Sequence, residues 1–391
     1  MKKMCAILLA AIPVFLLSVF LALPAALAAG ATSVTVDGVT LTASVPYLEK
    51  GSTVATVSQP ASGMYSYFDA ATSTLTLKDT VINTPSRFIA TVLGAPYDSH
   101  SLINAEGDLT LILNGTNELY YHQNEWFAVF GVAVNGALTV DGSGSLSIQI
   151  SNTAEVDTEF HGFTTGNLTI HSGTLNVSLN SNYISTAFSA DGSVLITGGD
   201  ITLDASGTYN ATGILNIDGV FRMTGGKISA TSTAMEPWNF CMYARQVQLE
   251  GGQGRFIATN AEDDGTALYL SGVQQTYSGG TFVFSGTGLA MVYAGLSGNA
   301  SFAVSNGNVY VSRYASGSGM SLWTSDADGA LVYSRQNHSD FKYVQFGGTR
   351  LAEMPQTGDS ATPWLWLGIA AVAVAGIAVL IIILHKKKTG R

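Results

Sequence analysis

The chain has 391 residues, of which 11% are charged, and its formal net charge is -10 at pH 7. In the part expected to be exported, Lys and Arg are few and scattered, so it lacks the basic stripe expected of a nucleic-acid-binding surface. Beyond the first 29 residues Cys241 is the one cysteine, which excludes an intrachain disulfide there. Its apolar neighbours predict that this thiol is buried.

Residues 1–29 have the organisation of a secretory signal peptide. Lys2 and Lys3 supply a positive start, an apolar helical stretch runs from Ile7 to Leu27, and Ala26-Leu27-Ala28 forms a small-x-small cleavage site. We therefore expect the chain to be secreted. An uncleaved membrane anchor is the alternative.

A repeat of about 27 residues fills the middle of the chain, a period typical of solenoids. A glycine-containing turn recurs every 26 to 29 residues, and after it the second and fourth residues are usually apolar. Small or polar residues stand between them, which predicts a strand with one buried face. The coil after Gly252 departs from this pattern, and Gly254 and Arg255 there predict a bulge. The repeat is marked by Gly144, Gly173, Gly199, Gly226, Gly252, Gly280 and Gly307.

The repeat predicts an all-β fold, a parallel β-helix solenoid over residues 73–313. Strands joined by short turns can be parallel neighbours only if the chain winds around, and right-handed winding is the usual preference. Open solenoid ends need covering, so we expect β caps at residues 30–72 and 314–350. An antiparallel sandwich is the alternative, and the even period counts against it.

The coil pattern resembles the β-helix regions of bacterial surface proteins, including carbohydrate-binding and pectate-lyase-like members. Such enzymes cut acidic polysaccharides and depend on clustered ionisable side chains. Asp157, Glu159 and His161 could act as acid, base or metal ligands, or form a solvated loop. A second group, Glu262, Asp263 and Asp264, suits a weak structural calcium site or a solvated turn.

Four aromatic residues lie 10 to 13 residues after the glycine of their coil. In coils stacked in register they would lie near one edge, where rings can stack on sugars. The alternative is that they point inward and form part of the core. They are Tyr183, Tyr209, Trp238 and Tyr293.

The last segment, residues 351–391, has three parts in a fixed order. Met354-Pro355-Gln356-Thr357-Gly358 comes first, an uncharged apolar run at 364–384 is long enough to span a bilayer, and a basic tail follows. The whole resembles the sorting signal of sortase substrates, whose motif is Leu-Pro-x-Thr-Gly. The resemblance implies transient membrane retention, cleavage after Thr357 by a sortase, and covalent attachment to peptidoglycan. A permanent membrane anchor is the alternative.

These features predict a wall-anchored surface protein without a cofactor, apart from the calcium alternative. Its expected role is that of an adhesin or carbohydrate-binding module, whose partner is a polysaccharide or a host surface. An anchored polysaccharide lyase or hydrolase, and a structural spacer, are the two alternatives.

Overall fold

The computed structural model describes residues 29–92, 95–123, 127–152, 158–235, 238–261, 264–272, 274–293, 300–323, 330–333 and 341–348. Within these ranges the chain is all-β and contains no helix. No described segment therefore forms a helix long and apolar enough to cross a bilayer. The predicted signal helix, the sorting motif and the apolar run at 364–384 lie outside the described residues.

Two sheets hold all the strands. Sheet A has eleven strands, namely β6 (Val81–Ile82), β10 (Thr116–Gln123), β12 (Ser145–Asn152), β14 (Thr174–Ser181), β17 (Asp200–Gly207), β19 (Lys227–Ala234), β21 (Gln253–Asn260), β24 (Thr281–Gly286), β27 (Val309–Ser312), β28 (Ser321–Leu322) and β30 (Tyr343–Phe346).

Sheet B has nineteen strands. They are β1 (Ser33–Val36), β2 (Val39–Thr42), β3 (Tyr47–Glu49), β4 (Tyr65–Asp69), β5 (Thr74–Lys78), β7 (Ser86–Val92), β8 (Ala95–Glu106), β9 (Leu109–Asn114), β11 (Ala128–Asp141), β13 (Glu159–Ile170), β15 (Ile184–Ala190), β16 (Val194–Ile196), β18 (Asn210–Met223), β20 (Trp238–Leu249), β22 (Thr266–Leu270), β23 (Gln274–Tyr277), β25 (Leu289–Tyr293), β26 (Ala300–Val304) and β29 (Ala330–Tyr333).

Each coil contributes one strand to sheet A and then two strand segments to sheet B. In one coil these are β14, β15 and β16, and they pair in parallel with β17 and β18 of the next coil. The pattern continues over about seven turns. The predicted parallel β-solenoid is confirmed.

The core runs along the axis because alternate residues of every strand point inward. On β14, Leu175, Val177 and Leu179 are buried while the residues between them are exposed. Toward the C-terminal end aromatic rings fill the axis, and Phe256 stacks on Phe284 with centroids 5.0 Å apart. Cys241 is fully buried, as predicted, and burial raises the pKa of its thiol to about 12.

The repeating glycines lie where the chain turns from sheet B into sheet A. Gly173, Gly199, Gly226, Gly252 and Gly280 all have positive φ, between 76 and 92°. An added Cβ on Gly226 would lie 2.6 Å from the backbone of Gly198 in the preceding coil. Close stacking of the coils therefore requires glycine at this corner.

The bulge predicted at Gly254 and Arg255 is wrong. Strand β21 pairs with β19 and β24 without a shift in register. Only glycine fits at position 254, because an added Cβ would lie 2.5 Å from the ring of Phe282 and 2.8 Å from that of Phe256. Large rings thus replace the usual aliphatic column in this coil.

Antiparallel strands cover the first coil. Strand β1 pairs with β2 and with β8, and β4 pairs with β3 and β5, in each case antiparallel. The parallel ladder begins where β5 meets β9. These strands occupy an edge that would otherwise be open to another chain.

The C-terminal end departs from the repeat. The glycine spacing predicts a parallel coil after Gly307, but β27 does not pair with β24. Strand β30 lies between them and is antiparallel to both. Phe346 of this strand is buried, and its ring lies 4.8 Å from that of Phe302. The repeat ends one coil early because the terminal strand takes the free edge.

Candidate functional site

The outer face of sheet A carries a flat array of polar side chains, which we call the polar patch. It comprises the outward residues of four neighbouring strands in register, β12, β14, β17 and β19, after the first outward position of each strand, where Ser145, Thr174, Asp200 and Lys227 lie. Their alternation with buried aliphatic residues points every one of them outward. The polar patch consists of Ser147, Gln149, Ser151, Asn176, Ser178, Asn180, Thr202, Asp204, Ser206, Ser229, Thr231 and Thr233.

Several of these side chains make no hydrogen bond to another group of the protein. Among the described residues, Asn176, Asn180 and Asp204 have no side-chain hydrogen-bond partner, and all three are exposed. Ser178 lies directly beside Asp204 on the neighbouring strand. Partial burial by the surrounding strands raises the pKa of Asp204. The patch thus presents free amide, hydroxyl and carboxylate groups in a fixed plane.

Two tyrosines border the polar patch where sheet A turns into sheet B. Tyr183 and Tyr209 lie on adjacent coils, and the Tyr209 amide donates a hydrogen bond of 3.0 Å to the Tyr183 carbonyl. Their rings are stacked, with centroids 5.1 Å apart and planes 21° apart. Rings this close overlap, so each covers one face of the other. Tyr209 is 38% exposed and Tyr183 is half-buried.

The other two predicted aromatics do not extend this pair in the way the spacing suggested. Trp238 begins β20 in register with Asn210, next to Tyr209, and its side chain lies outside the described set. Tyr293 ends β25 in register with Leu270 and is only 3% exposed. Tyr293 therefore belongs to the core. The sheet A strand of its coil, β24, has six residues where β14 has eight, so the thirteenth position after the glycine falls at the buried end of β25.

The sequence analysis did not predict that other aromatic side chains lie on the outer faces of the two sheets. Tyr120 of β10 is 40% exposed and lies in register with Gln149 at the border of the polar patch. On the outer face of sheet B, Tyr243 and Tyr269 stack with centroids 4.9 Å apart, and Phe240 lies against them. Each tyrosine of that pair follows its coil glycine by 17 residues, a signal present in the sequence.

The catalytic candidates do not form a cluster across coils. Asp157 lies outside the described residues. Glu159 and His161 lie 3.8 Å apart, and the His161 ring stacks on Phe130 at 4.6 Å. In the next coil their register partners are Ile184 and Thr186, neither of which is ionisable.

Asp200 and Arg222 would favour an enzyme if they lay beside this group in a groove, but they lie on other strands and face other residues. Arg222 donates two hydrogen bonds, of 2.9 and 2.8 Å, to the carboxylate of Glu250. Asp200 is in register with Thr174 and Lys227 on sheet A. No acid–base pair bridging two coils is therefore assembled from these predicted residues.

Two of the three calcium candidates, Glu262 and Asp263, lie outside the described residues. Asp264 is half-buried. Among the described residues no group of three or more His, Cys, Asp or Glu is placed to hold a metal ion.

No protein family, curated protein or solved structure matches this chain.

Proposed function

We propose that the protein is a wall-anchored, glycan-binding surface protein, an adhesin or carbohydrate-binding module that uses the polar patch and its tyrosines. One observation carries the proposal: unpartnered amides and a carboxylate lie in a plane beside exposed aromatic rings. Amides and hydroxyls can exchange hydrogen bonds with sugar hydroxyls, and an aromatic ring can cover the apolar face of a sugar. A host-surface glycan and a free polysaccharide both offer this chemistry.

Replacing Tyr209 with alanine should weaken polysaccharide binding roughly tenfold, since loss of one aromatic anchor commonly costs 1–2 kcal/mol or more. The full-length chain, kept soluble in a mild detergent, is passed over a panel of immobilised polysaccharides with and without calcium. Retained protein and released oligosaccharide are measured together. Release of oligosaccharide would support the lyase or hydrolase alternative instead.

Tyr314 provides the matched control for this variant. It is 64% exposed and follows β27 at the far end of sheet A. Tyr314→Ala removes a ring that is more exposed than that of Tyr209 and should leave retention unchanged. Equal losses in both variants, or no retention of the wild type on any polysaccharide, would contradict the proposed site.

The anchoring part of the proposal is supported by the sequence motif alone, and it has its own test. Thr357→Ala should abolish covalent attachment, so that the protein appears in the membrane fraction or the medium. The measurement is release from purified walls by detergent compared with release by a peptidoglycan hydrolase. Extraction of the wild type by detergent alone would show that it is held as a membrane anchor.

A further inference from the structure

We propose that the polar patch selects uncharged glycans and that Asp204 is the residue that excludes anionic ones. This inference rests on the proposed function, since it names the class of glycan that the same face takes. It follows from the distribution of charge over the patch and from the groups that surround Asp204.

Asp204 is the only charged residue of the twelve in the polar patch. The nearest cations on the same face are Lys227, at the first position of β19, and Arg255 on β21. Strand spacing and rise place their Cα atoms about 12 Å or more from that of Asp204.

The field over the patch is therefore that of an uncompensated carboxylate. At physiological ionic strength the Debye length is about 8 Å, so distant cations are screened while a ligand touching Asp204 is not. A uronate or sulfate placed against Asp204 would meet a like charge, since Lys227 and Arg255 lie beyond the Ser229 corner of the patch. Anionic groups of this kind are normally held by Arg or Lys, and the patch has neither.

The same arrangement favours hydroxyl groups. A carboxylate only accepts hydrogen bonds, and sugar hydroxyls donate to it in strong charge-assisted bonds. Ser178 lies directly opposite Asp204, while Asn176 and Asn180 lie diagonally on either side. Their amides both donate and accept, which suits the remaining hydroxyls of a polyol. These four side chains can therefore form hydrogen bonds with the hydroxyls of an uncharged sugar, whereas the Asp204 carboxylate repels an acidic one.

The test compares neutral and acidic polysaccharides on the full-length protein in detergent at pH 7.5. The panel contains glucan, mannan, xylan and galactan, together with polygalacturonate and alginate. A retained neutral polysaccharide is then oxidised at C6 to its uronate form and measured again. We expect retention of neutral chains and a loss of roughly tenfold or more on oxidation, in line with a repulsion between close like charges.

Two variants assign the effect to Asp204. Asp204→Asn should weaken binding of the neutral chain and reduce its preference over the oxidised chain by roughly fivefold. Asp200→Asn, which removes the same charge from the same strand outside the patch, should leave the preference unchanged. Circular dichroism confirms that both variants remain folded.

The outcomes separate this inference from the proposed function. Retention of acidic chains as strong as that of neutral ones, or an unchanged preference in Asp204→Asn, would overturn the selectivity while glycan binding still holds. An equal shift in Asp200→Asn would attribute the effect to net charge and overturn the role of Asp204. Failure to retain any polysaccharide would remove the proposed function itself.

Discussion

Replacing Gly226 with alanine is expected to destabilise the solenoid by about 3 kcal/mol, from left-handed backbone strain and steric overlap together. Gly226 has a φ of 76°, and its new Cβ would lie 2.6 Å from the carbonyl carbon and oxygen of Gly198. The corner cannot relax easily, because the Lys227 amide donates a 2.9 Å hydrogen bond to Gly199. The midpoint of urea unfolding, followed by circular dichroism, measures the loss.

A substitution at Gly63 separates backbone strain from steric overlap. Its φ of 73° is nearly the same, but no atom lies within 4 Å of the position that a Cβ would take. Gly63→Ala should therefore cost only about 1 kcal/mol, the strain of the left-handed conformation. If both variants unfold at the same urea concentration, close coil stacking does not explain the repeating glycines.

Phe256→Ala should cost about 3–5 kcal/mol, the range found for truncating a buried phenylalanine. Phe256 is fully buried, stacks on Phe284 at 5.0 Å, and meets the edge of Phe221 at 6.1 Å. Its removal opens a cavity through two neighbouring coils. The free energy of unfolding from urea titration is the appropriate measurement.

Phe256→Leu serves as the control because it keeps most of the volume and should cost about 1.5 kcal/mol or less. Ile257 is adjacent on the same strand, but its side chain points outward and is half-buried. Ile257→Ala should consequently lose less than Phe256→Ala. A similar loss in all three variants would mean that the aromatic column does not organise this end of the core.

The sequence was sufficient to predict the solenoid because two signals repeat with one period. Glycine is required at the corners from Gly173 to Gly280 by positive φ and by close approach, and alternation on the sheet A strands is required by burial. Neither signal predicts where the parallel pairing of the coils ends. The residues around Gly307 keep the local pattern, but β30 is brought beside β24 by a contact distant in the sequence.

The candidate site was only partly predictable for a related reason. Counting from the coil glycine placed Tyr183 and Tyr209 together, because their coils are of nearly equal length. The same count failed for Tyr293, because the sheet A strand before it, β24, is two residues shorter than β14, so that Tyr293 falls at a buried position of β25. The polar patch was not predicted as a unit, because Asn176 and Asp204 become neighbours only when register is known.

The closed ends have a consequence for how such a chain changes in evolution. Antiparallel strands pair with the outer parallel strands of sheet B at the N-terminal end and of both sheets at the C-terminal end, so a coil appended at either end would have to displace them. Internal duplication of a whole coil keeps both caps and adds about 4.8 Å to the height of the solenoid. A duplication of the β14 or β17 coil would also add a row to the polar patch, so reach and binding surface would increase together.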